Sequence, residues 1–303
     1  MIQSEAGESG QCGVLPRSAA MIIAWAEAKL ASPKGSFEMA ERSVIVTGSK
    51  GGVGTTTVAL NLAVHLAQLT EKRVALLELA RPFGQIALML DTSPRFTLLD
   101  ALERAERLDG SLLGSLMTRH KSGVEMLMGA RHLAHSPEQR QSVTLEGILR
   151  VFELAKTIFD FVIVDLGFVN AAEWARVLQS ADKLLLVSEP SMLALGMLEG
   201  YLKAVDSAGL ERGRFQVVVN RARQNDDTTI AKYERSLGQA FFARLPNDYR
   251  QVSESVRLGI PLTASSNNPL VGRYREMASR ILNPDSQEAR PRQDDTLTLS
   301  PTL

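Results

Sequence analysis

This chain has few of the features that indicate a secreted, disulfide-stabilised or strongly nucleic-acid-binding protein. It contains one cysteine, Cys12, in 303 residues, which excludes an internal disulfide and fits a reducing compartment. Lys+Arg and Asp+Glu number 34 each, so no global field attracts nucleic acid or a membrane surface. No apolar run is long enough to span a bilayer, and the first residues lack the basic-then-apolar order of a signal peptide. We therefore expect a cytoplasmic protein.

The most informative stretch is a glycine-rich segment between a predicted strand at 43–47 and a predicted helix. Glycines let the backbone curl so that several N–H groups point at one anion, and the positive end of the helix adds to the attraction. The alternative is a glycine-rich turn that binds nothing. The lysine that a P-loop carries after its last glycine is absent, because Thr55 stands there. The predicted phosphate-binding residues are Lys50, Gly51, Gly52, Val53, Gly54, Thr55, Thr56 and Thr57.

Apolar strands alternate with helix-period segments along most of the chain. This alternation predicts right-handed βαβ crossovers and an α/β fold with a doubly wound, mostly parallel sheet and helices on both faces. Further strands are predicted at 73–79, 124–128, 161–165, 183–188, 215–220 and 239–245. Helices are predicted at 97–104, 111–117, 144–156, 171–180, 191–208, 227–237 and 268–282, the third of them capped by Thr144.

The domain organisation is predicted from composition. The polar, glycine-rich residues 1–17 are expected to be disordered, and 18–42 to form an N-terminal helix and a linker. Residues 43–283 form the P-loop domain, and the polar, proline-containing residues 284–303 form a disordered tail.

Polar residues at the ends of predicted strands are further candidates for the site, because ligands of such sheets bind at the carboxyl ends of the strands. Asp165 could hold a Mg²⁺-bound water as a Walker-B aspartate does, or it could cap the next turn. Asn220, Arg221 and Pro246 could hydrogen-bond and pack against a base, or they could serve turn chemistry alone.

The glycine-rich segment resembles that of the ParA/MinD family of deviant Walker-A ATPases, whose loop carries an extra early lysine that Lys50 matches. The resemblance implies ATP or ADP and Mg²⁺ as ligands, a homodimer in which Lys50 reaches the partner's nucleotide, and Thr56 as a Mg²⁺ ligand. It also implies an aspartate that orients the attacking water after the second strand. In the family this aspartate is the second of an Asp-x-Asp pair. Here Glu78 keeps a carboxylate at the first position of the pair, and Ala80 stands at the second, water-orienting position. Alanine cannot hold a water, so no catalytic residue is assigned.

Within that family the chain resembles the CpaE/TadZ branch, which serves assembly of Flp/Tad-type pili. The resemblance spans about 43–282, although the receiver-like domain that commonly precedes the ATPase part in that branch does not fit into the forty residues before it. Its motifs are Lys50–Asn61, Phe83-Gly84, Thr97–Asp100, Phe159–Leu166, Ser188–Pro190, Leu245–Arg250 and Gly259–Pro261.

Thr55 and Ala80 together predict slow or absent hydrolysis with weakened nucleotide binding. A lost charge-assisted hydrogen bond costs roughly 1.5–3 kcal/mol, and a lost transition-state contact often costs about a hundredfold in rate. We expect an assembly or localisation factor for a Flp/Tad-type pilus or related secretion machine, held at the inner membrane or cell pole through partner proteins. The alternative is an active ParA/MinD-type ATPase that positions DNA or a division site, and a metabolic P-loop enzyme ranks last. Arg273, Arg275 and Arg280 could form a DNA-contacting face or a solvated one, and we expect the latter, without nucleic acid as a partner.

Overall fold

Apolar strands rich in Val, Ile and Leu form the centre of the molecule. In the computed structural model, which describes residues 42–79, 84–129, 143–262 and 268–283, they build one eight-stranded sheet. The strand order is β3-β4-β2-β5-β1-β6-β7-β8, and all neighbours are parallel except β3 and β4. The strands are β1 Ser43–Gly48, β2 Val74–Glu78, β3 Thr118–Arg119, β4 Glu125–Leu127, β5 Phe161–Gly167, β6 Lys183–Ser188, β7 Phe215–Ala222 and β8 Ala243–Pro246.

Helices cover both faces of the sheet, as predicted, and each face has its own apolar core. Along β1, Ile45 packs into one core and Val44 and Val46 into the other, which is why the central strands are apolar on both sides. Helices α1, α2 and α10 lie over one face, and α3 to α8 lie over the other. The helices are α1 Thr55–Leu69, α2 Ile86–Met89, α3 Leu98–Leu102, α4 Gly110–Leu116, α5 Leu145–Ile158, α6 Ala175–Gln179, α7 Met192–Ser207, α8 Asp227–Leu237, α9 Tyr249–Leu258 and α10 Pro269–Leu282.

Most predicted elements are found within a residue or two of their expected bounds. The Thr144 cap is confirmed, since its hydroxyl accepts the Gly147 N–H at 3.0 Å. The strand predicted at 239–245 begins only at Ala243, and the helix predicted at 171–180 is confined to Ala175–Gln179. The short strand β3 and helices α2 and α9 were not predicted. Helix α9 is ten residues long, mostly polar and without a fully buried residue, so its few apolar side chains are a weak signal in the sequence.

The strand order places the predicted site. Strand β1 lies between β5 and β6, and these parallel strands end at the same edge of the sheet. The loop after β1, Asp165 near the end of β5 and the residues after β6 therefore lie together. The predicted regions 1–17 and 284–303 lie outside the described residues, and so does the predicted region 18–42 except for its last residue.

Candidate functional site

The loop that joins β1 to α1 has glycine conformations that suit the predicted anion cradle. Gly52 and Gly54 have φ angles of 81° and 93°, which residues other than glycine rarely adopt. At Gly48 a Cβ atom would come within 2.8 Å of the Thr55 hydroxyl, so the chain turns through a space that only glycine fits. Helix α1 begins at Thr55, directly after the turn, and its positive end is therefore directed at the loop.

Asn220, at the end of β7, ties this loop to the sheet. Its Nδ2 donates a hydrogen bond to the buried Val53 carbonyl at 2.8 Å, and its Oδ1 accepts the Arg221 N–H at 3.0 Å. A Cβ atom on Gly54 would collide with the same Asn220 amide. The Asn220 side chain therefore fixes the shape of the glycine-rich loop. In the structure the Asn220 side-chain amide contacts the loop backbone.

Asp165 lies fully buried near the carboxyl end of β5, opposite Val46 of β1. Its Oδ1 accepts the Gly167 N–H at 3.2 Å, whereas its Oδ2 has no hydrogen-bond partner. The pKa of Asp165 is raised to about 7, mainly by burial and to a smaller extent by the charge of Glu78, while the hydroxyl of Thr56 and the Gly167 N–H oppose the rise. A buried carboxylate oxygen without a partner is costly and indicates a missing ligand.

These residues fit a magnesium ion. Mg²⁺ takes oxygen ligands, and its charge would offset the desolvation of the Asp165 carboxylate. Thr56 offers a hydroxyl on the same side, close enough to Asp165 to lower the pKa of that carboxyl. Among the described residues, no group of three or more His, Cys, Asp or Glu side chains forms a metal cluster, so the remaining ligands would be water and phosphate.

Glu78, opposite Asp165 on the neighbouring strand β2, is also fully buried, but both of its carboxylate oxygens accept hydrogen bonds. Its Oε1 accepts the N–H groups of Gln85 and Ile86, and its Oε2 accepts that of Gly129 at 2.9 Å. Burial raises its pKa, although the three N–H groups oppose the rise. A carboxylate occupied by three backbone donors holds the chain in place and is not available to bind a water.

Lys50 is engaged within its own chain. Its Nζ lies 2.9 Å from Oε1 of Glu189, the residue that follows β6. Arg221 lies 3.2 Å from the other oxygen, Oε2. Burial alone would raise the pKa of Glu189, but the hydrogen bond and charge of Lys50 and the charge of Arg221 outweigh it and hold the pKa below its usual value.

An open pocket of about 640 Å³ adjoins these groups. Its lining includes Glu189 and Arg221 as well as Asn247 and Tyr249, which follow β8. The predicted base-contacting residues Arg221 and Pro246 thus lie on or next to this pocket, at the same edge of the sheet as the cradle. Tyr249 is 79% exposed, so its ring is available to a planar ligand.

Sequence reasoning missed Glu189 as a site residue, and Ala80 lies outside the described residues. Glu189 follows a strand, as the predicted site residues do, but nothing in the sequence shows that this strand pairs with β1. The three arginines of α10 do not act as one face. Arg273 pairs with Glu276, and Arg280 stacks on Phe242 at 4.2 Å. Arg275 lies near His65, whose pKa is lowered mainly by burial; the hydrogen bond to the Leu262 carbonyl opposes this shift, and the charge of Arg275 adds a smaller lowering.

The fold and this site define the class. A glycine-rich loop between a central parallel strand and a helix, beside a buried aspartate on the adjoining strand, belongs to the P-loop NTPase fold. A family model described as an AAA domain (AAA_31) matches residues 41–212, more than half of the chain. The septum site-determining protein MinD of Thermotoga maritima is 22% identical over 267 residues, which cover 86% of this chain and 93% of that protein. The chain belongs to the ParA/MinD family of P-loop ATPases.

Solved structures show the same fold. The ParA family ATPase from Chlorobium tepidum superposes with a TM-score of 0.72 at 24% identity, covering 79% of this chain and 99% of that one. MinD from Pyrococcus horikoshii, solved in complex with Mg-ADP, superposes with a TM-score of 0.66 at 20% identity, covering 82% and 99%. At these identities the likeness shows the fold alone. Among the described residues, no helix is both long and apolar enough to cross a membrane.

Proposed function

We propose that this chain binds Mg·ATP in the loop between β1 and α1 and acts as a slowly hydrolysing assembly or localisation factor. The observation that carries the proposal is the unpartnered, fully buried Oδ2 of Asp165 beside Thr56, at the end of an anion cradle. A buried carboxylate oxygen without a hydrogen-bond partner destabilises the fold, and a metal ion bound at this oxygen would remove that cost. The Mg-ADP complex of the Pyrococcus horikoshii relative supports the choice of ligand.

Each residue of the site has a part in this proposal. The N–H groups of 50–57 and the positive end of α1 bind the phosphates, and Thr56 and Asp165 hold the metal, Asp165 through a water. The metal, when bound, neutralises phosphate charge. The pocket beside Arg221 and Pro246 accommodates the base. Asn220 holds the loop in shape through its hydrogen bond to the Val53 carbonyl. Lys50 reaches the nucleotide of a second copy in a homodimer.

Turnover is slow in this proposal for two reasons. First, Thr55 supplies no lysine charge to the phosphates, so the proposed site relies on backbone N–H groups and the metal alone. The carboxylate of Glu78 is occupied by three backbone N–H groups, so it cannot replace the water-orienting side chain that Ala80 lacks. Binding is therefore expected to be weakened and hydrolysis to be slow or absent.

For the biological role we propose the assembly of a Flp/Tad-type pilus or a related secretion machine, as in the CpaE/TadZ branch. Support comes from the branch-like motifs distributed along the domain, such as Ser188–Pro190 and Leu245–Arg250. Contact with the inner membrane or cell pole would then come through partner proteins. The second candidate is positioning of the division site, which the names of MinD relatives such as that of Thermotoga maritima favour.

A titration tests the biochemical proposal. Mg·ATP and Mg·ADP are added to the purified chain while affinity, oligomeric mass and phosphate release are recorded. We expect binding that requires Mg²⁺, a doubled mass with ATP, and phosphate release far below one per second. Rapid turnover would show that Ala80 does not limit hydrolysis, and absence of binding would refute the proposal.

Replacing Thr55 by lysine restores the missing charge. The Thr55→Lys variant should bind Mg·ATP about ten- to a hundredfold more tightly, since a charge-assisted hydrogen bond is worth roughly 1.5–3 kcal/mol. Phosphate release should stay slow. Gln68→Lys, an exposed position near the other end of α1, adds the same charge away from the site and should leave the affinity unchanged. An unchanged affinity in Thr55→Lys would mean that the cradle is not used.

A deletion in cells separates the two biological roles. Loss of surface pili with normal septa would support the pilus role, and misplaced septa with normal pili would support division-site positioning. DNA binding by the purified chain with a steep salt dependence would favour a DNA-positioning ATPase over both.

A further inference from the structure

The ion pair between Lys50 and Glu189 joins two segments of the site, and the neighbouring Ser191 also contacts it. Lys50 lies on the loop after β1 and Glu189 follows the adjacent strand β6. Their side chains are only 22% and 19% exposed, so solvent screens the pair less than it screens an open surface pair. The Ser191 hydroxyl, at the cap of α7, donates to the same Oε1 at 3.3 Å and helps to fix the carboxylate.

Arg221 supplies a second cation to the same carboxylate on its other oxygen. It adopts φ = 59°, a left-handed conformation that is uncommon outside glycine. Its N–H is held by Asn220, whose amide also holds the glycine-rich loop. Strained backbone that neighbouring hydrogen bonds maintain is typical of functional sites. Here it places a guanidinium 3.2 Å from Glu189 Oε2.

This arrangement has a consequence for the lysine. One ammonium group cannot stay against Glu189 in its own chain and also reach a phosphate in another chain. Because Arg221 contacts a different oxygen, Glu189 keeps a counter-charge when Lys50 departs. The carboxylate is therefore not left unpaired, and the departure of Lys50 costs less than breaking an isolated buried pair would.

We propose that Glu189 is a positioning residue that retains Lys50 in its own chain until a nucleotide-loaded second copy competes for it. Glu189 thereby sets the protein concentration at which the Mg·ATP dimer forms. The inference rests on the proposed function, in which Lys50 serves the nucleotide of a partner.

The first experiment measures dimerisation. Wild type, Glu189→Gln and Glu189→Asp are examined by sedimentation velocity with saturating Mg²⁺ and a slowly hydrolysed ATP analogue. Neutralising Glu189 should lower the dimer dissociation constant about tenfold, because a charge-assisted bond that opposes dimerisation is weakened. Glu189→Asp, which keeps the charge, should restore a value near that of wild type. Glu199→Gln is the matched control, since Glu199 pairs with Lys203 at 2.9 Å on the exposed side of α7.

The second experiment observes Lys50 without nucleotide. The intact proteins are acetylated briefly with an N-hydroxysuccinimide ester, and mass spectrometry reads the extent of modification at Lys50 and, for reference, at Lys203. Release from Glu189 should raise the acetylation of Lys50 several-fold in Glu189→Gln and leave Lys203 unchanged. Equal acetylation of Lys50 in both proteins would overturn the inference.

The remaining outcomes separate the inference from the proposed function. If wild type and Glu189→Gln both bind Mg·ATP and dimerise at the same concentration, the role of Glu189 is wrong while nucleotide binding stands. The inference is also refuted if adding Glu189→Gln to Lys50→Ala still lowers the dimer dissociation constant tenfold, since Glu189 would then act without Lys50. If no variant binds Mg·ATP, the proposed function and this inference are both overturned.

Discussion

Two buried carboxylates, Asp165 and Glu78, lie side by side on neighbouring strands and have different chemical roles. Glu78 is satisfied by three backbone N–H groups, whereas one oxygen of Asp165 has no partner. The difference comes from the extra methylene of glutamate, which lets the Glu78 carboxylate extend beyond its strand to the backbone of 85–86 and Gly129. Asp165, which is shorter, remains at the edge of the sheet where the metal is proposed to bind.

The pKa of Asp165 makes stability depend on pH. An acid whose pKa rises from 3.8 to about 7 on folding binds more protons in the folded state between these values. Its contribution therefore lowers the free energy of unfolding as pH rises through this window. We expect Asp165→Asn to raise the metal-free stability at pH 8 by a few kcal/mol, at about 1.4 kcal/mol per pKa unit, with no gain at pH 3.5. Urea unfolding at both pH values measures this.

A matched variant and Mg²⁺ complete that test. Asp206→Asn, which removes an exposed carboxylate on α7, should leave the difference between the two pH values unchanged. Mg·ATP should stabilise wild type and not Asp165→Asn. A variant that is less stable than wild type at pH 8 without metal would contradict the assignment.

Glu78 gives a second prediction at the scale of one residue. Glu78→Gln places an amide NH₂ against backbone donors, and each donor left unsatisfied costs about 1–3 kcal/mol. We expect a lower midpoint of urea unfolding, and Glu71→Gln, at an exposed position, should show no change. Wild-type stability in Glu78→Gln would mean that the three hydrogen bonds do not hold 85–86 and Gly129 in place.

At the scale of the elements, the loop between β1 and α1 depends on residues distant in the sequence. Asn220 of β7 holds the Val53 carbonyl, and Ser49 donates its N–H to the Val187 carbonyl of β6 at 2.8 Å. The loop is thus fixed from two neighbouring strand ends as well as by its own glycines. This explains how a cradle of several N–H groups keeps its shape when few side chains of the loop contribute.

The glycines of the loop are expected to differ in importance. Gly54→Ala should lower the free energy of unfolding, because the left-handed φ alone costs roughly 1–2 kcal/mol and the new Cβ collides with Asn220. Gly51→Ala has open space around its Cβ and should fold like wild type. Thermal unfolding of both variants, without ligand, gives the comparison. Equal losses in the two variants would show that the Asn220 contact does not constrain the loop.

At the scale of the whole molecule, the site lies at one edge of the sheet, where a second copy is proposed to bind. The side chains at this edge include Lys50, which the proposed dimer would use in the partner. Apolar groups such as Phe168 and Leu193 are exposed after β5 and β6, at 52% and 69%. Such groups gain free energy when they are covered, at about 25 cal/mol per Å².

Nucleotide should therefore change the oligomeric state. We expect the mass in solution to double with Mg·ATP and to remain that of a monomer with Mg·ADP. Lys50→Ala should still bind nucleotide as a monomer but fail to dimerise, whereas Lys203→Ala, on the exposed side of α7, should behave as wild type. Light scattering during the titration records the mass. A Lys50→Ala protein that dimerises normally would exclude a role for this lysine across the interface.

The sequence determined the local features. The apolar runs of β1, β5 and β6 favoured buried strands and the glycines before Thr55 favoured a sharp turn, because hydrophobicity and the accessible φ angles are properties of the residues themselves. The α/β fold class followed from these, and the prediction of a phosphate cradle rests on them. The bounds of β8 and the existence of α2 and α9 did not, since β8 and α2 are only four residues long and α9 is mostly polar and buries no residue fully.

The tertiary structure decided which residues meet. Lys50 and Glu189 are far apart in the sequence, and their contact exists because β6 pairs with β1. The three N–H partners of Glu78 and the tie from Asn220 to Val53 arise in the same way. Strand order is set by the packing of the whole chain, and a residue's own preferences do not encode it. The sequence therefore supplied the chemical groups, and the sheet selected the pairs in which they act.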